Sequence, residues 1–447
     1  MKIVHFTHNV IDGAGKAAYR LHKALQREEG LESLMLVCRK GHGDDSVIQV
    51  CNTLFTDRPG LAGLGEDVFR KFFRAIPYIC RQVYWKMKRR KWKPLTLFNF
   101  NIPYISMRRI KKYLCGVDII CLHSVQSFLS PGLIRDIHRF CRAPVVWTLM
   151  DVEPLTGGCH FSGECRGFAG SCGNCPQLAV RGENDISRRI WKEKREYFRD
   201  VPLTFVAASS WVREHIADSS LFGSRRIEKI FLGADRSIFE RVHKKAAREI
   251  LGLPEESRII LFGCFDLDDR RKGADHLERS LSVLPRKILP GHRELFDQVV
   301  LVTFGRTDGR TFSGIPFKWI HLGELRDDRL IALSYQAADV LACPSIDDFG
   351  PMIVNEAFMC DLPVVAFDRG VAPDLVKTAG SGYIARRYDT DDFSSGILKC
   401  LSEEENGAAT DEILRLKEMC RTDFQARQYA RLFEKLLSEK SDKKGVL

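Results

Sequence analysis

Residues 338–367 read Ala-Asp-Val-Leu-Ala-Cys-Pro-Ser-Ile-Asp-Asp-Phe-Gly-Pro-Met-Ile-Val-Asn-Glu-Ala-Phe-Met-Cys-Asp-Leu-Pro-Val-Val-Ala-Phe. Val340–Cys343 is a short apolar run that suits a buried parallel strand. Pro344–Gly350 reads as a loop, and Pro351 fits the first position of a helix, where its missing N–H costs nothing. The helix runs to about Cys360, Leu362-Pro363 stops it, and Val364–Phe367 is the next strand. Two carboxylates, Asp348 and Glu356, flank and enter that helix with seven residues between them. In open α/β sheets ligands bind at the carboxyl ends of strands. A helix start adds free N–H groups and a positive dipole end for an anion. An acid before a helix is commonly only a dipole partner, and a helical Glu is commonly solvated, so the flanking sequence has to decide.

Working outward, the strand–loop–helix rhythm recurs along the chain. Lys2–Thr7 reads as a first strand, followed by Asp12-Gly13-Ala14-Gly15-Lys16-Ala17-Ala18 opening a helix. Glycine there lets backbone approach a ligand, and Gly-x-Gly-x-x-Ala resembles a dinucleotide fingerprint, a weak signal alone. A phosphate-binding Walker pattern fails, because Ala17 stands where Ser or Thr is required. Further strands are expected at Leu34–Cys38, Gly116–His123, Pro144–Leu149, Leu203–Ala208, Arg226–Phe231, Arg258–Cys264, Val299–Phe304 and Ile320–Gly323, with residues 411–437 helical. The fold class is therefore α/β, with two parallel-sheet domains meeting near residue 235.

Length and composition agree. The 447 residues, 45% hydrophobic and 28% charged, describe an ordinary globular chain of two or three domains. No apolar run approaches the roughly 20 residues of a membrane span, and Met-Lys-Ile-Val-His-Phe-Thr-His is too polar for a signal peptide. A cytoplasmic location is expected, with the 15 cysteines reduced. The net charge of +11 favours anionic partners. Residues 66–100 break the α/β rhythm. Ten Lys and Arg residues between Arg70 and Lys93 interleave with Phe69, Phe72, Phe73, Tyr78, Tyr84, Trp85 and Trp92. Such a segment suits the inner face of an anionic membrane; the competing readings are a solvated basic face or a nucleic-acid patch, and no nucleic-acid partner is expected.

Four cysteines fall within 17 residues: Cys159, Cys165, Cys172 and Cys175, spaced C-x5-C-x6-C-x2-C in a glycine-rich loop over 156–176. Four thiolates with one C-x2-C suit a tetrahedral structural zinc site. The loop is poor in apolar residues, so a metal would stand in for a core. Iron–sulfur ligation is the alternative, though its usual runs are shorter. Asp151 lies at the carboxyl end of the Pro144–Leu149 strand, a position where functional residues gather.

The opening stretch resembles the donor-site signature of retaining glycosyltransferases of family 4, which have the two-domain GT-B fold. Pro344-Ser345, a Glu-x7-Glu element containing Phe349-Gly350, Glu356-Ala357 and Pro363-Val364-Val365 all match, with Asp348 in place of the first Glu. Gly157-Gly158-Cys159-His160 and Cys172-x2-Cys175-Pro176 resemble a subset that builds bacterial surface polysaccharides. The resemblance implies two Rossmann-like domains facing a cleft: residues 1–235 on the acceptor side, residues 236–424 binding a nucleotide-sugar, and residues 425–447 returning to the first domain. It implies donor contacts at Gly13, Gly15, Arg270, Arg271, Lys272, Phe349, Gly350, Pro351, Met352, Ile353 and Glu356. Lys272, in a Lys-Gly pair, with Arg270 or Arg271, would clamp the diphosphate. Glu356 would accept from ribose hydroxyls and Asp348 from the donor sugar, with Asp151 completing the catalytic set. Family members often carry His-Asp where this chain has Met150-Asp151. The expected reaction is sugar transfer with retention to a sugar hydroxyl of a lipid-linked glycan, with no cofactor for catalysis. A GT-B-like nucleotide-sugar epimerase, or an impaired nucleotide-sugar-binding scaffold, is the alternative.

Overall fold

The computed structural model describes residues 1–41, 43–51, 83–84, 86–102, 105–240, 243–288, 293–402 and 410–445. Residues 66–82 and 85 of the basic, aromatic stretch therefore lie outside the described residues. The chain divides into two compact units. The first comprises Met1–Ala18, Gly30–Phe205 and His215–Ile227; the second comprises Tyr19–Glu29, Val206–Glu214 and Glu228–Leu447.

The first sheet has seven strands: β1 Lys2–Asn9, β2 Glu32–Arg39, β3 Val47–Gln49, β4 Ile119–Leu122, β5 Val145–Thr148, β6 Leu203–Ala207 and β7 Arg226–Lys229. Their order is β3-β2-β1-β4-β5-β6-β7, and β3–β2, β2–β1, β1–β4 and β4–β5 pair in parallel. β4 and β5 are buried at every position, as expected of strands covered on both faces. The second sheet contains β8 Arg258–Asp266, β9 Val299–Arg306, β10 Lys318–His321, β11 Val340–Cys343, β12 Val364–Phe367 and β13 Gly382–Ala385. It runs β10-β9-β8-β11-β12-β13 and is parallel throughout. Helices cover both faces of this sheet. One face buries Leu341, Val354, Phe358 and Leu375 in a single core, and the other buries Val340, Leu277, Leu281 and Phe393 in a second.

Two local readings are corrected. Pro351 stands just before the helix Met352–Met359, with extended ψ of 110°, and is its cap rather than its first residue. The helical stretch expected over 411–437 is two helices, Asp411–Met419 and Thr422–Gly445, separated at Cys420-Arg421. There Ala234 N–H donates to the Cys420 carbonyl and Thr422 N–H donates to the Ala234 carbonyl, so the break docks onto residue 234.

Candidate active site

In the second sheet the strand order reverses direction between β8 and β11, since β8 leads outward to β9 and β11 to β12. That reversal is where a doubly wound sheet opens a crevice at its carboxyl end. The loops leaving these two strands, 267–273 and 344–351, carry the expected donor residues. Asp269 caps the short turn Arg270–Lys272 by accepting from Arg271 N–H at 3.1 Å. Gly273 follows with φ +79°, and a Cβ there would run into the Pro344 carbonyl oxygen. Glycine is thus required twice, for the left-handed backbone and for the close approach of the two loops. The approach delivers Lys272 Nζ to Asp348, which accepts its hydrogen bond. Burial alone would lower the Lys272 pKa, but the adjacent carboxylate more than offsets this and raises it.

The remaining expected residues separate by role. Arg271 is committed to Asp269, and its carbonyl accepts from Ile346 N–H at 2.9 Å. Arg270 is exposed and makes no ion pair among the described residues, so it is the cation of the two that stays available. Phe349 is 2% exposed and meets Trp211 edge-on at 4.8 Å, so its ring packs and only its backbone can face a ligand. Gly350 and the half-buried Met352 and Ile353 lie beside it, with Pro351 buried. Asp348 and Pro351 line a small concavity with Cys343, Ser345 and Arg369; Glu356 is not among its residues.

Glu356 lies deeper, 5% exposed. Its Oε1 accepts from Arg20 Nη1 at 2.7 Å and its Oε2 from the Tyr335 hydroxyl at 2.9 Å. Arg20 also donates to Asp328 at 2.7 Å. Burial works against the Arg20 charge, yet the two carboxylates raise its pKa overall. Burial, then the Glu356 charge, holds the Tyr335 hydroxyl well above the ordinary tyrosine range. Neither Arg20 nor Tyr335 was singled out in the sequence. An Arg on an amphipathic helix and a Tyr in an apolar helix carry no local mark of such a pairing.

The first sheet reverses direction between β1 and β4. After β1, Asp12 accepts from Gly15 N–H at 2.8 Å and so caps the helix Gly13–Leu25. An added Cβ on Gly15 would strike the Asn9 carbonyl, whereas one on Gly13 meets nothing within 4 Å. Gly15 is therefore a packing glycine, and Gly13 borders open space. After β5, Asp151 is 8% exposed and pairs with His160 Nδ1 at 2.8 Å. His160, quoted in the sequence only as part of a motif, is the residue that meets Asp151. The intervening loop is pinned by a buried ion pair, Lys194 to Glu153 at 2.7 Å, and by Asn99 donating to Glu153 at 2.9 Å.

The four cysteines line one cavity with Thr156, Gly157, Phe168 and Ser187. Gly157 N–H donates to Cys172 Sγ at 3.2 Å and Gly167 N–H to Cys165 Sγ at 3.4 Å. Among the described residues, no group of three or more His, Cys, Asp or Glu side chains is already set to hold a metal ion, while Cys159 and Cys175 hydrogen-bond through their side chains and Cys172 interacts with both Cys175 and Cys165. The expectation that this loop lacks a core is corrected. Cys159 and Cys175 belong to a small apolar cluster with Trp92, Phe98, Phe100, Leu178, Ile186 and Ile190, and Phe98 bridges to Cys159 through the backbone.

Two parallel-sheet α/β units, each with polar residues beyond the point where its strand order reverses, define a protein of the GT-B class. Residues 243–415 match the family described as Glycosyl transferases group 1, and the chain carries that domain. It is 26% identical over 298 residues to the putative colanic acid biosynthesis glycosyl transferase WcaC of Escherichia coli K12, covering 63% of this chain and 66% of that protein. The chain thus spans a little under two thirds of that relative's length. Among solved structures, sucrose-phosphate synthase from Thermosynechococcus elongatus superposes with TM-score 0.63 at 16% identity, over 98% of this chain and 100% of the other. Anabaena HepE in complex with UDP and glucose superposes with TM-score 0.61 at 15% identity, over 97% and 99%. These likenesses establish the fold.

Proposed function

We propose that the protein is a retaining glycosyltransferase that moves a sugar from a nucleotide-sugar to a sugar hydroxyl of a lipid-linked glycan in surface polysaccharide synthesis. The observation that carries this reading is the Lys272–Asp348 contact at the β8/β11 reversal, inside the segment matched by the group 1 family. A departing nucleoside diphosphate gains negative charge as its bond to the sugar breaks, and fixed cations stabilise that charge. Lys272 is already oriented for this by Asp348, and Arg270 is the second available cation. Asp348, beside Lys272, would accept from a hydroxyl of the transferred sugar. The UDP in the HepE complex supports a nucleotide donor, and the WcaC match supports a polysaccharide product.

Two further elements belong to this proposal. The described part of the basic stretch exposes Val83, Tyr84, Met87, Leu95 and Leu97 among exposed Lys86, Arg90, Lys91 and Lys93. Apolar side chains beside cations suit an anionic membrane surface, where a lipid-linked acceptor resides. No helix among the described residues is long and apolar enough to cross a membrane. The four-cysteine loop would hold one structural zinc, supported by the shared cavity and the N–H···S contacts.

The test is a panel of UDP-, GDP-, ADP- and dTDP-sugars. One member should raise the melting temperature and slowly release its nucleoside diphosphate; a ligand at 100 times its Kd stabilises by about 2.7 kcal/mol. Lys272→Met should weaken that shift at least tenfold in ligand concentration, since a hydrogen bond to a charged group contributes roughly 1.5–3 kcal/mol. A panel with no stabilising member and no hydrolysis would overturn the proposal.

A further inference from the structure

Residues 107–113 read Met-Arg-Arg-Ile-Lys-Lys-Tyr, with cations at four positions and no acid. They form a short helix, Met107–Ile110, that continues into the turn Lys111–Tyr113. Ile110 is fully buried and anchors the element, while Arg108, Arg109, Lys111 and Lys112 are exposed. The helix Pro131–Cys141 packs beside it. Cys141 Sγ donates to the Leu114 carbonyl at 3.6 Å, and Lys111 Nζ lies 5.2 Å from the centre of the Phe140 ring. That contact sets the exposed Arg139 and Arg142, which flank Phe140, beside Lys111. Within 107–118 and 131–142 the acids are Asp118 and Asp136. Asp118 accepts from Lys2 N–H at 2.8 Å, and Asp136 pairs with Arg135 at 3.5 Å. Arg108, Lys111, Lys112, Arg139 and Arg142 make no ion pair among the described residues. The last turn of a helix favours cations, which accounts for Arg139 but not for a second basic element laid against it. Like charges gathered in this way repel one another, so the face suits an anion that comes from outside the chain.

The face lies apart from the crevice of its own sheet. Leu114 and Arg142 come shortly before β4 and β5, at the amino ends of those strands, whereas an open parallel sheet binds its ligands at the carboxyl ends. Its chemistry selects among anions. A bilayer takes several inserted apolar side chains, and Phe140, 40% exposed, is the one large exposed hydrophobic residue described between 105 and 142. Single-stranded nucleic acid stacks its bases on open ring faces, but Lys112 Nζ lies 4.7 Å from the centre of the Tyr113 ring and Lys111 lies over Phe140. What remains is a set of cations spread over two elements, fit for a polymer that carries carboxylates at intervals, each received by a guanidinium or an ammonium. We propose that this face binds an acidic glycan chain, built from carboxylate-bearing sugars, outside the catalytic crevice. This rests on the proposed polysaccharide reaction for naming the anion as a glycan. Held there, a growing chain stays near the enzyme between additions.

The probe is a fluorescent oligogalacturonate titrated into the full chain at low salt, with its fully methyl-esterified form, duplex DNA and phosphatidylglycerol vesicles as competitors. The wild type should bind the acidic oligomer, added salt should weaken that binding, and the esterified form should not compete. A variant carrying Lys111→Gln, Lys112→Gln and Arg139→Gln should lose about tenfold in affinity, the sum of three modest surface pairs. A control carrying Arg415→Gln, Arg431→Gln and Lys435→Gln, three exposed cations of the second unit, should bind as the wild type does. All six side chains are exposed, so both variants should melt with the wild type. A wild type that does not bind, an equal loss in the two variants, or competition by the esterified form overturns the proposal. So does duplex DNA or the vesicles competing at a lower charge concentration than unlabelled oligogalacturonate. Nucleotide-sugar hydrolysis tests the reaction separately, and it should be unchanged by the Lys111, Lys112 and Arg139 substitutions. Oligomer binding by a wild type that hydrolyses no nucleotide-sugar would sink the proposed function and leave an acidic-glycan-binding face; hydrolysis without oligomer binding would sink the face alone.

Discussion

Glu356 and Asp348 are the two residues the sequence marks most clearly, and the chain uses them differently. Asp348 sits in a small concavity and holds Lys272. Glu356 spends both oxygens on Arg20 and Tyr335, so its first task is to neutralise a buried guanidinium. Glu356→Gln should therefore destabilise the protein by roughly 1.5–3 kcal/mol, the worth of hydrogen bonds to charged groups. Asp328 still faces Arg20, which keeps the loss below that of stranding the charge entirely. Urea denaturation measures this. Unchanged stability with donor affinity lowered tenfold would instead return Glu356 to the hydroxyl-accepting role expected of it. The carboxylates were legible because their spacing around a helix start is local. Arg20 was not, because its partner lies 336 residues away and nothing near it distinguishes a buried, ion-paired Arg from a solvated one. His160 stood in plain view but nine residues from Asp151, and only the loop's path brings them together.

At the scale of elements, the apolar runs located the strands, because a strand covered on both faces has to be continuously hydrophobic. β3, three residues long, escaped notice for lack of such a run. Glycine readings divided by geometry: Gly273 serves the close approach of two loops, Gly15 packs a helix against β1, and Gly13 is open. None of this differs in sequence, where each is simply a glycine before a helix. The cysteine loop shows the opposite limit. Its spacing was legible, but the apolar residues that support it come from 92–100 and from the helix Ile186–Phe198. With that support, a metal would tighten the loop rather than create it. Purified protein should carry about one zinc per chain, and chelation should lower the melting temperature by a few degrees without unfolding the chain. Less than half an equivalent of zinc, with no thermal response to chelator, would remove the ion from the account.

For the whole molecule, the sequence supports two α/β domains, and the strand orders agree; the division of the chain was the harder part. The boundary expected near residue 235 is a simplification, since Tyr19–Glu29 and Val206–Glu214 belong with the second unit. Contiguity in sequence is the default for a domain, and only contacts reveal the exceptions. The charge of +11 acts on this scale as well. With exposed apolar side chains at 83–97, it should carry the protein up with anionic liposomes in a flotation gradient at low salt. About 1 kcal/mol per basic residue near the surface should be lost as salt shortens the screening length. Protein remaining at the bottom with anionic vesicles would exclude the membrane. The contact between Arg20 and Glu356 also sets a clock. Chains emerge at about 5–20 residues per second, so Arg20 is made roughly 20–70 seconds before its carboxylate partner exists. Until Asp328 follows, the helix Gly13–Leu25 carries an uncompensated cation on a face destined for burial, and the second unit can complete itself only after that early helix has waited for partners made 308 and 336 residues later.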